Sequence, residues 1–190
     1  SLFMKIIESK IERGFEGQGL TMLRNMIKLN VPVTADYFNL LLKVYYSKLD
    51  FPKIHFLLDD MKRERIPMNL TTMYYALSYH ARKRNFNKCL EEMEGMKNGI
   101  YPFKADYKCY YISLKTCCDC KKYEEAKGLY KEMKENNMKM NVPLSMIYSK
   151  IVISNGDWQG LDDLLEDMDR NGIEHDSRLY MLAIKKCLKE

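Results

Sequence analysis

The cysteines are the first residues in this sequence that could carry out chemistry. Cys117, Cys118 and Cys120 include the C-x-x-C spacing that zinc sites use. A structural zinc site also needs a second pair of Cys or His residues, but none follows at zinc-finger distance and the three histidines are scattered. We therefore predict no metal site and interpret these cysteines as small packing residues of a helix.

Catalytic motifs are the next features to consider. The sequence contains no glycine-rich phosphate loop, no nucleophile elbow and no paired histidine–carboxylate motif. The carboxylates Asp162, Asp163, Glu166 and Asp167 fall at helical spacing, which favours a solvated or partner-facing acidic surface over a metal site. We predict that the chain is not an enzyme and needs no cofactor.

The elements that position these residues follow a repeat. Met26, Met61, Met96, Met133 and Met168 are separated by 35, 35, 37 and 35 residues. Each period holds two stretches with the apolar spacing of a helix. Only 9 Gly and 5 Pro occur in 190 residues, which argues against a turn-rich β fold. The sequence therefore predicts an all-α repeat protein.

Each period is predicted to form a first and a second helix. The first helices are expected at about 1–13, 36–48, 71–84, 106–120, 143–154 and 177–189, and the second helices at about 17–29, 51–65, 86–98, 123–138 and 158–171. Helices this short are marginal alone, so each hairpin must pack against its neighbours. The two additional residues of the 37-residue period fit best in the loop between about 97 and 106.

Charge separates between the two sets of helices. First-helix stretches carry +11, second-helix stretches carry −4 and the remaining residues carry −2, so the net +5 conceals a segregation. Eleven of the 14 tyrosines also fall in first helices. A basic, aromatic surface suits a single-stranded nucleic acid, because cations neutralise phosphates and rings stack on bases. Packing of tyrosines between helices, and cations placed favourably at helix C-termini, are the alternative explanations.

Several phrases resemble a known family. The phrases are Phe38-Asn39-Leu40-Leu41-Leu42 in a first helix, Tyr123-Glu-Glu-Ala-Lys-Gly-Leu-Tyr-Lys-Glu-Met133 in a second helix, and the exit Gly172-Ile173-Glu-His-Asp176. With the 35-residue period they resemble degenerate pentatricopeptide repeats. Tetratricopeptide repeats, the competing family, would show a 34-residue period and a Trp-x-x-Leu-Gly phrase, and neither is present.

The resemblance implies a right-handed α-solenoid of stacked helix-turn-helix repeats of about 35 residues. The implied repeats are 1–34 (nearly complete), 35–69, 70–106 (with a two-residue insertion), 107–141 and 142–176, followed by a lone first helix at 177–190. A half-repeat would leave an apolar face uncovered, so we expect a continuation of the chain or a partner there.

The resemblance also implies that first helices line a groove for RNA. The basic residues expected to contact RNA are Lys43, Arg82, Lys83, Arg84, Lys115, Lys150, Lys185 and Lys186. The implied base-reading pairs are Asn39 with Asn69, Tyr74 with Asp106, Tyr111 with Asn141, and Met146 with Asp176. Only the Asn39–Asn69 pair matches the family's readout, because methionine cannot specify a base edge. The family's aliphatic wedge position holds Asp36, Thr71, Lys108, Pro143 and Arg178 instead, so base specificity is expected to be weak.

Two functional hypotheses follow. The first is an organellar protein, mitochondrial or alternatively plastid, that binds single-stranded RNA along the first helices within a ribonucleoprotein. The second is a scaffold subunit of a large organellar assembly that acts through protein contacts without RNA. The longest stretch without charged residues, 66–81, is too short and too polar to span a membrane. Partners are therefore expected to be RNA and other protein subunits, with no membrane span.

Overall fold

The computed structural model describes residues 2–188, and within that range it contains eleven α-helices and no strand. The helices in chain order are α1 (Leu2–Glu12), α2 (Glu16–Lys28), α3 (Ala35–Ser47), α4 (Phe51–Arg63), α5 (Leu70–Arg82), α6 (Phe86–Lys97), α7 (Tyr107–Cys120), α8 (Tyr123–Glu135), α9 (Val142–Ser154), α10 (Trp158–Arg170) and α11 (Ser177–Cys187). The predicted all-α helical repeat fold is confirmed.

The helix positions agree closely with those predicted from the period. Odd-numbered helices are the predicted first helices and even-numbered helices are the second helices. The largest difference is at the end of α8, which stops at Glu135 and not near residue 138. The chain leaves the helix at the C-cap Asn136, and Asn137 adopts a φ of 55°. Residue 189, where the last first helix was predicted to end, lies outside the described residues.

Contacts divide the chain into two compact units. Unit 1 comprises the residues up to Lys83 together with Glu91–Ala105, and unit 2 comprises Arg84–Leu90 together with the residues from Asp106 onward. In unit 1, α3 packs against α1, α2, α4 and α5. In unit 2, α9 packs in the same way against α7, α8, α10 and α11. The first helices of each unit therefore form its packing centre.

The methionines that mark the period lie in the core. Met26, Met61, Met96, Met133 and Met168 are all at most 3% exposed. Each lies in the last two turns of a second helix, on the face that packs inward. An unbranched side chain fills irregular spaces between helices, so methionine suits a position where helices of different repeats meet.

Every described helix-to-helix turn contains one residue in the left-handed region. After first helices these are Gly14, Leu49, Arg84, Lys121 and Gly156, and after second helices they are Asn30, Arg65, Gly99, Asn137 and Gly172, with φ between 52° and 79°. Such a residue ends a helix by redirecting the chain, and glycine is the residue that adopts the conformation without steric cost. Six turns use other residues and therefore carry local strain.

This regularity predicts opposite effects for two substitutions in unit 1. Leu49 has a φ of 55° and its side chain is 52% exposed, so Leu49→Gly is expected to raise the free energy of unfolding by about 1 kcal/mol. Gly14 has a φ of 79°, and a Cβ added there would meet no atom within 4 Å, so Gly14→Ala is expected to lower it by about 1 kcal/mol through strain alone. Urea denaturation followed by circular dichroism measures both, and equal signs would contradict the assignment of these turns.

Candidate nucleic-acid interface

The first-helix face of unit 1 carries the predicted pair Asn39 and Asn69, and the structure brings the two side chains together. Asn39 Nδ2 donates a hydrogen bond to Asn69 Oδ1 at 3.0 Å. Asn69 is the N-cap of α5, because its Oδ1 also accepts from the Thr72 backbone N–H at 3.0 Å. Thr72 Oγ1 donates to Asn39 Oδ1 at 2.9 Å, and Asn69 Nδ2 donates to Asp36 Oδ1 at 3.0 Å. Both amides are therefore held in fixed orientations by an internal network.

Helix capping explains where the residues that close each predicted repeat lie. Asn69, Asp106, Asn141 and Asp176 are the N-caps of α5, α7, α9 and α11, and each side chain accepts a backbone N–H of the first helical turn. Capping satisfies a backbone donor that the helix leaves unpaired. Each of these side chains thus has a structural role before any ligand is considered.

The predicted pair Tyr111 and Asn141 lies in unit 2, but a different tyrosine contacts the asparagine. Tyr107 donates a hydrogen bond from its hydroxyl to Asn141 Oδ1 at 2.6 Å. The Tyr107 and Tyr111 rings are 6.3 Å apart, and Tyr111 is half-buried. Burial raises the pKa of Tyr107, so its hydroxyl stays protonated and available as a donor. The sequence contained one signal for this contact, since Tyr107 is the first residue of a helix and Asn141 is a capping residue.

Tyr74 and Asp106 belong to different units. Tyr74 lies half-buried on α5 of unit 1. Asp106 caps α7 in unit 2 and accepts the Cys109 backbone N–H at 3.1 Å. Met146, half-buried on α9, and Asp176, the cap of α11, both belong to unit 2.

The predicted basic residues lie mostly in solvent. Lys43, Arg82, Lys83, Arg84, Lys115, Lys150 and Lys185 are exposed, and Lys186 is half-buried. The first seven make no ion pair with any residue in the range 2–188. Their ammonium and guanidinium groups are therefore not neutralised by the part of the protein that the structure describes.

The second helices of unit 2 show the opposite arrangement. The cations of α8 and α10 are all ion-paired: Lys127 with Asp157 at 2.6 Å, Lys131 with Glu135 at 3.9 Å, Lys134 with Asp167 at 2.6 Å and Arg170 with Glu166 at 2.8 Å. Hydrogen bonding to Asp157 raises the pKa of Lys127, and the same contact lowers the pKa of Asp157. Positive charge on the second helices is thus compensated within the protein.

The acidic surface predicted on α10 is smaller than expected. Asp162, Asp163 and Glu166 are exposed, whereas Asp167 is only 6% exposed. Asp167 accepts hydrogen bonds from the Tyr130 hydroxyl at 2.7 Å and from Lys134 Nζ at 2.6 Å. The interpretation of Asp167 as partner-facing was wrong, because this residue precedes the buried Met168 and shares its inward side of the helix.

The cysteines are free thiols, and burial disfavours the reactive thiolate form of the buried ones. Cys109 and Cys117 are buried, and burial raises the pKa of each thiol to about 12. Across residues 2–188, no cluster of three or more His, Cys, Asp or Glu side chains has an arrangement that could hold a metal ion. In the same range, no helix has both the length and the hydrophobicity to cross a bilayer.

These features define a class, the α-helical repeat proteins, and comparison with known proteins narrows it. The pentatricopeptide repeat family model, described as PPR repeat, matches residues 114–138, which cover the end of α7 and all of α8. Comparison with curated protein sequences gave no match.

Solved structures share the fold at low sequence identity. The PPR domain of Arabidopsis thaliana protein-only RNase P 1 (PRORP1), solved in complex with tRNA, has a TM-score of 0.81 at 13% identity, covering 98% of this chain and 97% of that one. Maize pentatricopeptide repeat protein PPR10 has a TM-score of 0.73 at 16% identity over 92% of this chain. PPR10 in complex with an 18-nt psaJ RNA element has a TM-score of 0.64 at 17% identity over 97% of this chain.

The sequence match over residues 114–138 and the shared fold confirm the predicted resemblance to pentatricopeptide repeats. The chain spans about a quarter of the length of PPR10, with 24% of that protein covered.

The placement of Asp167 predicts a difference between two neighbouring carboxylates of α10. Asp167→Ala removes the acceptor for Tyr130 and Lys134 and is expected to lower the free energy of unfolding by about 2 kcal/mol. Asp163→Ala, on the exposed side, is expected to change it by less than about 0.5 kcal/mol. Urea unfolding of both variants provides the comparison, and equal small effects would show that Asp167 is a surface residue after all.

Proposed function

We propose that the protein binds single-stranded RNA on its first-helix faces and catalyses no reaction. The observation that carries this proposal is the contrast in unit 2 between two sets of lysines. Lys127, Lys131 and Lys134 on α8 are neutralised by carboxylates, whereas Lys115 and Lys150 on α7 and α9 have no ion-pair partner among the described residues.

An uncompensated cation favours a polyanionic ligand for a physical reason. A lysine that already has a carboxylate partner must give up that contact before it can neutralise a phosphate. An unpaired lysine loses only its counterions and hydration, and release of the counterions condensed on the nucleic acid drives association. The exposed Arg82, Lys83 and Arg84 at the end of α5 add a cluster of the same kind.

The relatives support the proposal at the level of the fold. PRORP1's PPR domain and PPR10 have been solved in complex with tRNA and with an RNA element, respectively. Their identities to this chain are below 20%, so the specific contacts proposed here rest on this chain's own residues.

The base specificity proposed here is weak. Asn39 and Asn69 form the only predicted reading pair with two amides, and their hydrogen-bonding groups already bind each other, Thr72 and Asp36. A base edge would compete with these contacts. The organellar location and the association with a ribonucleoprotein are part of the proposal through the resemblance to pentatricopeptide repeats.

A scaffold role is the second candidate. The exposed Asp162, Asp163 and Glu166 on α10 form an acidic surface that could contact a basic partner protein. Purification of the full chain from its native source separates the two candidates. RNA that remains with the chain supports the first candidate, and stoichiometric protein subunits without RNA support the second.

RNA binding is expected to depend steeply on salt. Fluorescence anisotropy with a single-stranded RNA of about 15 nucleotides should show a Kd that rises with salt, with a slope of about 0.7 per phosphate contact on logarithmic axes. Replacing Arg82, Lys83 and Arg84 together with Ala should weaken binding by about tenfold near 50 mM salt, because three phosphate-neutralising groups are lost.

The matched control removes the same net charge elsewhere. Lys28, Lys104 and Lys131 are exposed and lie outside the first helices, so their joint replacement with Ala should leave the Kd within about twofold. Absence of RNA binding at low salt, or equal weakening in both triple variants, would contradict the proposed function.

A further inference from the structure

Three lysines of unit 2 occupy equivalent places on successive first helices. Lys115, Lys150 and Lys185 are each separated by 35 residues and lie on α7, α9 and α11. The helix α9 packs against both α7 and α11, so the three lysines lie on adjacent helices. All three are exposed and lack an ion-pair partner among residues 2–188. We name them the lysine row.

A second row runs one helical turn away. The residues four positions before the lysines are Tyr111, Met146 and Met181, and residues four apart lie on the same side of a helix. Tyr111 and Met146 are half-buried, and Met181 is 51% exposed. These three side chains are named the apolar row, because they consist of one aromatic ring and two thioethers.

The charge of Lys150 is close enough to α7 to act on a side chain of that helix. Burial raises the pKa of the Cys118 thiol on α7 and Asp119 raises it further, whereas the ammonium group of Lys150 on α9 opposes both effects. The charge of Lys150 therefore acts on the side of α7 that carries Cys118. Asp119 lies four residues after Lys115 but makes no ion pair with it.

We propose that unit 2 holds single-stranded RNA without reading its bases, with phosphates against the lysine row and base faces against the apolar row. This inference rests on the RNA binding proposed above and names its mode. Phosphates are the same in every nucleotide, and every base has a face that can stack on a ring or contact a thioether. Methionine offers no hydrogen bond that could distinguish one base edge from another.

The corresponding place in unit 1 shows what the apolar row lacks. Asn39 precedes the exposed Lys43 by four residues, as Met146 precedes Lys150. Asn39 carries an amide with donors and an acceptor, whereas the members of the apolar row carry between them a single polar group, the Tyr111 hydroxyl. Contacts in unit 2 therefore contribute affinity that is shared by all sequences.

Homopolymer binding tests this mode directly. The full chain is titrated with oligouridine and oligocytidine of about 15 nucleotides, and the two Kd values are expected to agree within about threefold. Replacing Lys115, Lys150 and Lys185 together with Ala should weaken both ligands by the same factor. It should also lower the logarithmic salt slope by about 2, since each single-strand phosphate contact accounts for about 0.7.

Matched variants distinguish the loss of charge or of base stacking from a loss of folding. The triple Lys→Arg variant at the same positions should bind as the natural sequence does, and the control that replaces Lys28, Lys104 and Lys131 with Ala should keep the full salt slope. Tyr111→Phe retains the ring and should retain the Kd, whereas Tyr111→Ala should weaken both homopolymers by about tenfold. Circular dichroism confirms that each variant is as helical as the natural chain.

The outcomes distinguish this inference from the proposed function. If the natural chain binds neither homopolymer nor mixed-sequence RNA, the proposed function fails. If RNA binds but the lysine-row variant behaves like the control variant, or if replacing the lysine row weakens one homopolymer by more than about tenfold over the other, base-independent binding by unit 2 is overturned while RNA binding stands.

Discussion

Packing of each helical hairpin against its neighbours is the constraint on which this structure depends. Helices of 11 to 14 residues are marginal in water when isolated. In unit 1 the helix α3, and in unit 2 the helix α9, is covered by its own second helix and by first helices on either side. The methionines that recur with the 35-residue period are the buried side chains through which second helices pack against the core. A repeat length near 35 residues is the consequence, because each repeat must present the same faces to the next.

The same packing decides which charges remain available to a ligand. On the second helices of unit 2, Lys134 meets Asp167 from the next second helix, and Lys127 reaches Asp157 at its start. The first helices pack through apolar and small side chains, including Leu114, Ser145 and Val152, and keep their lysines on the remaining side. The charge segregation in the sequence thus corresponds to a difference in ion pairing between the first and second helices of unit 2. Lysines without an ion-pair partner favour an anionic ligand more strongly than net charge alone does.

Sequence reasoning reached the helices because two signals agreed, the apolar spacing within each helix and the 35-residue period between them. It failed at Asp167, where a shift of one position around the helix decides whether a side chain faces solvent or the core. The Asp167 carboxylate accepts a hydrogen bond from the Tyr130 hydroxyl. The family resemblance paired Asn39 with Asn69. Only the structure shows the hydrogen bonds that these two side chains also make with Thr72 and Asp36. The contact of Tyr107 with Asn141 was missed, because the family resemblance assigned Tyr111, one helical turn later, as the partner of Asn141. The division into two units was not predicted either.

Placement of RNA on the first helices, and not on the second helices, is tested most directly by photo-cross-linking. The full chain is cross-linked to single-stranded RNA that contains 4-thiouridine, and the cross-linked peptides are identified by mass spectrometry. We expect cross-links within α3, α5, α7, α9 and α11, including peptides that contain Tyr111 or Met146. Cross-links confined to α8 and α10, where the lysines are already paired with carboxylates, would contradict this placement.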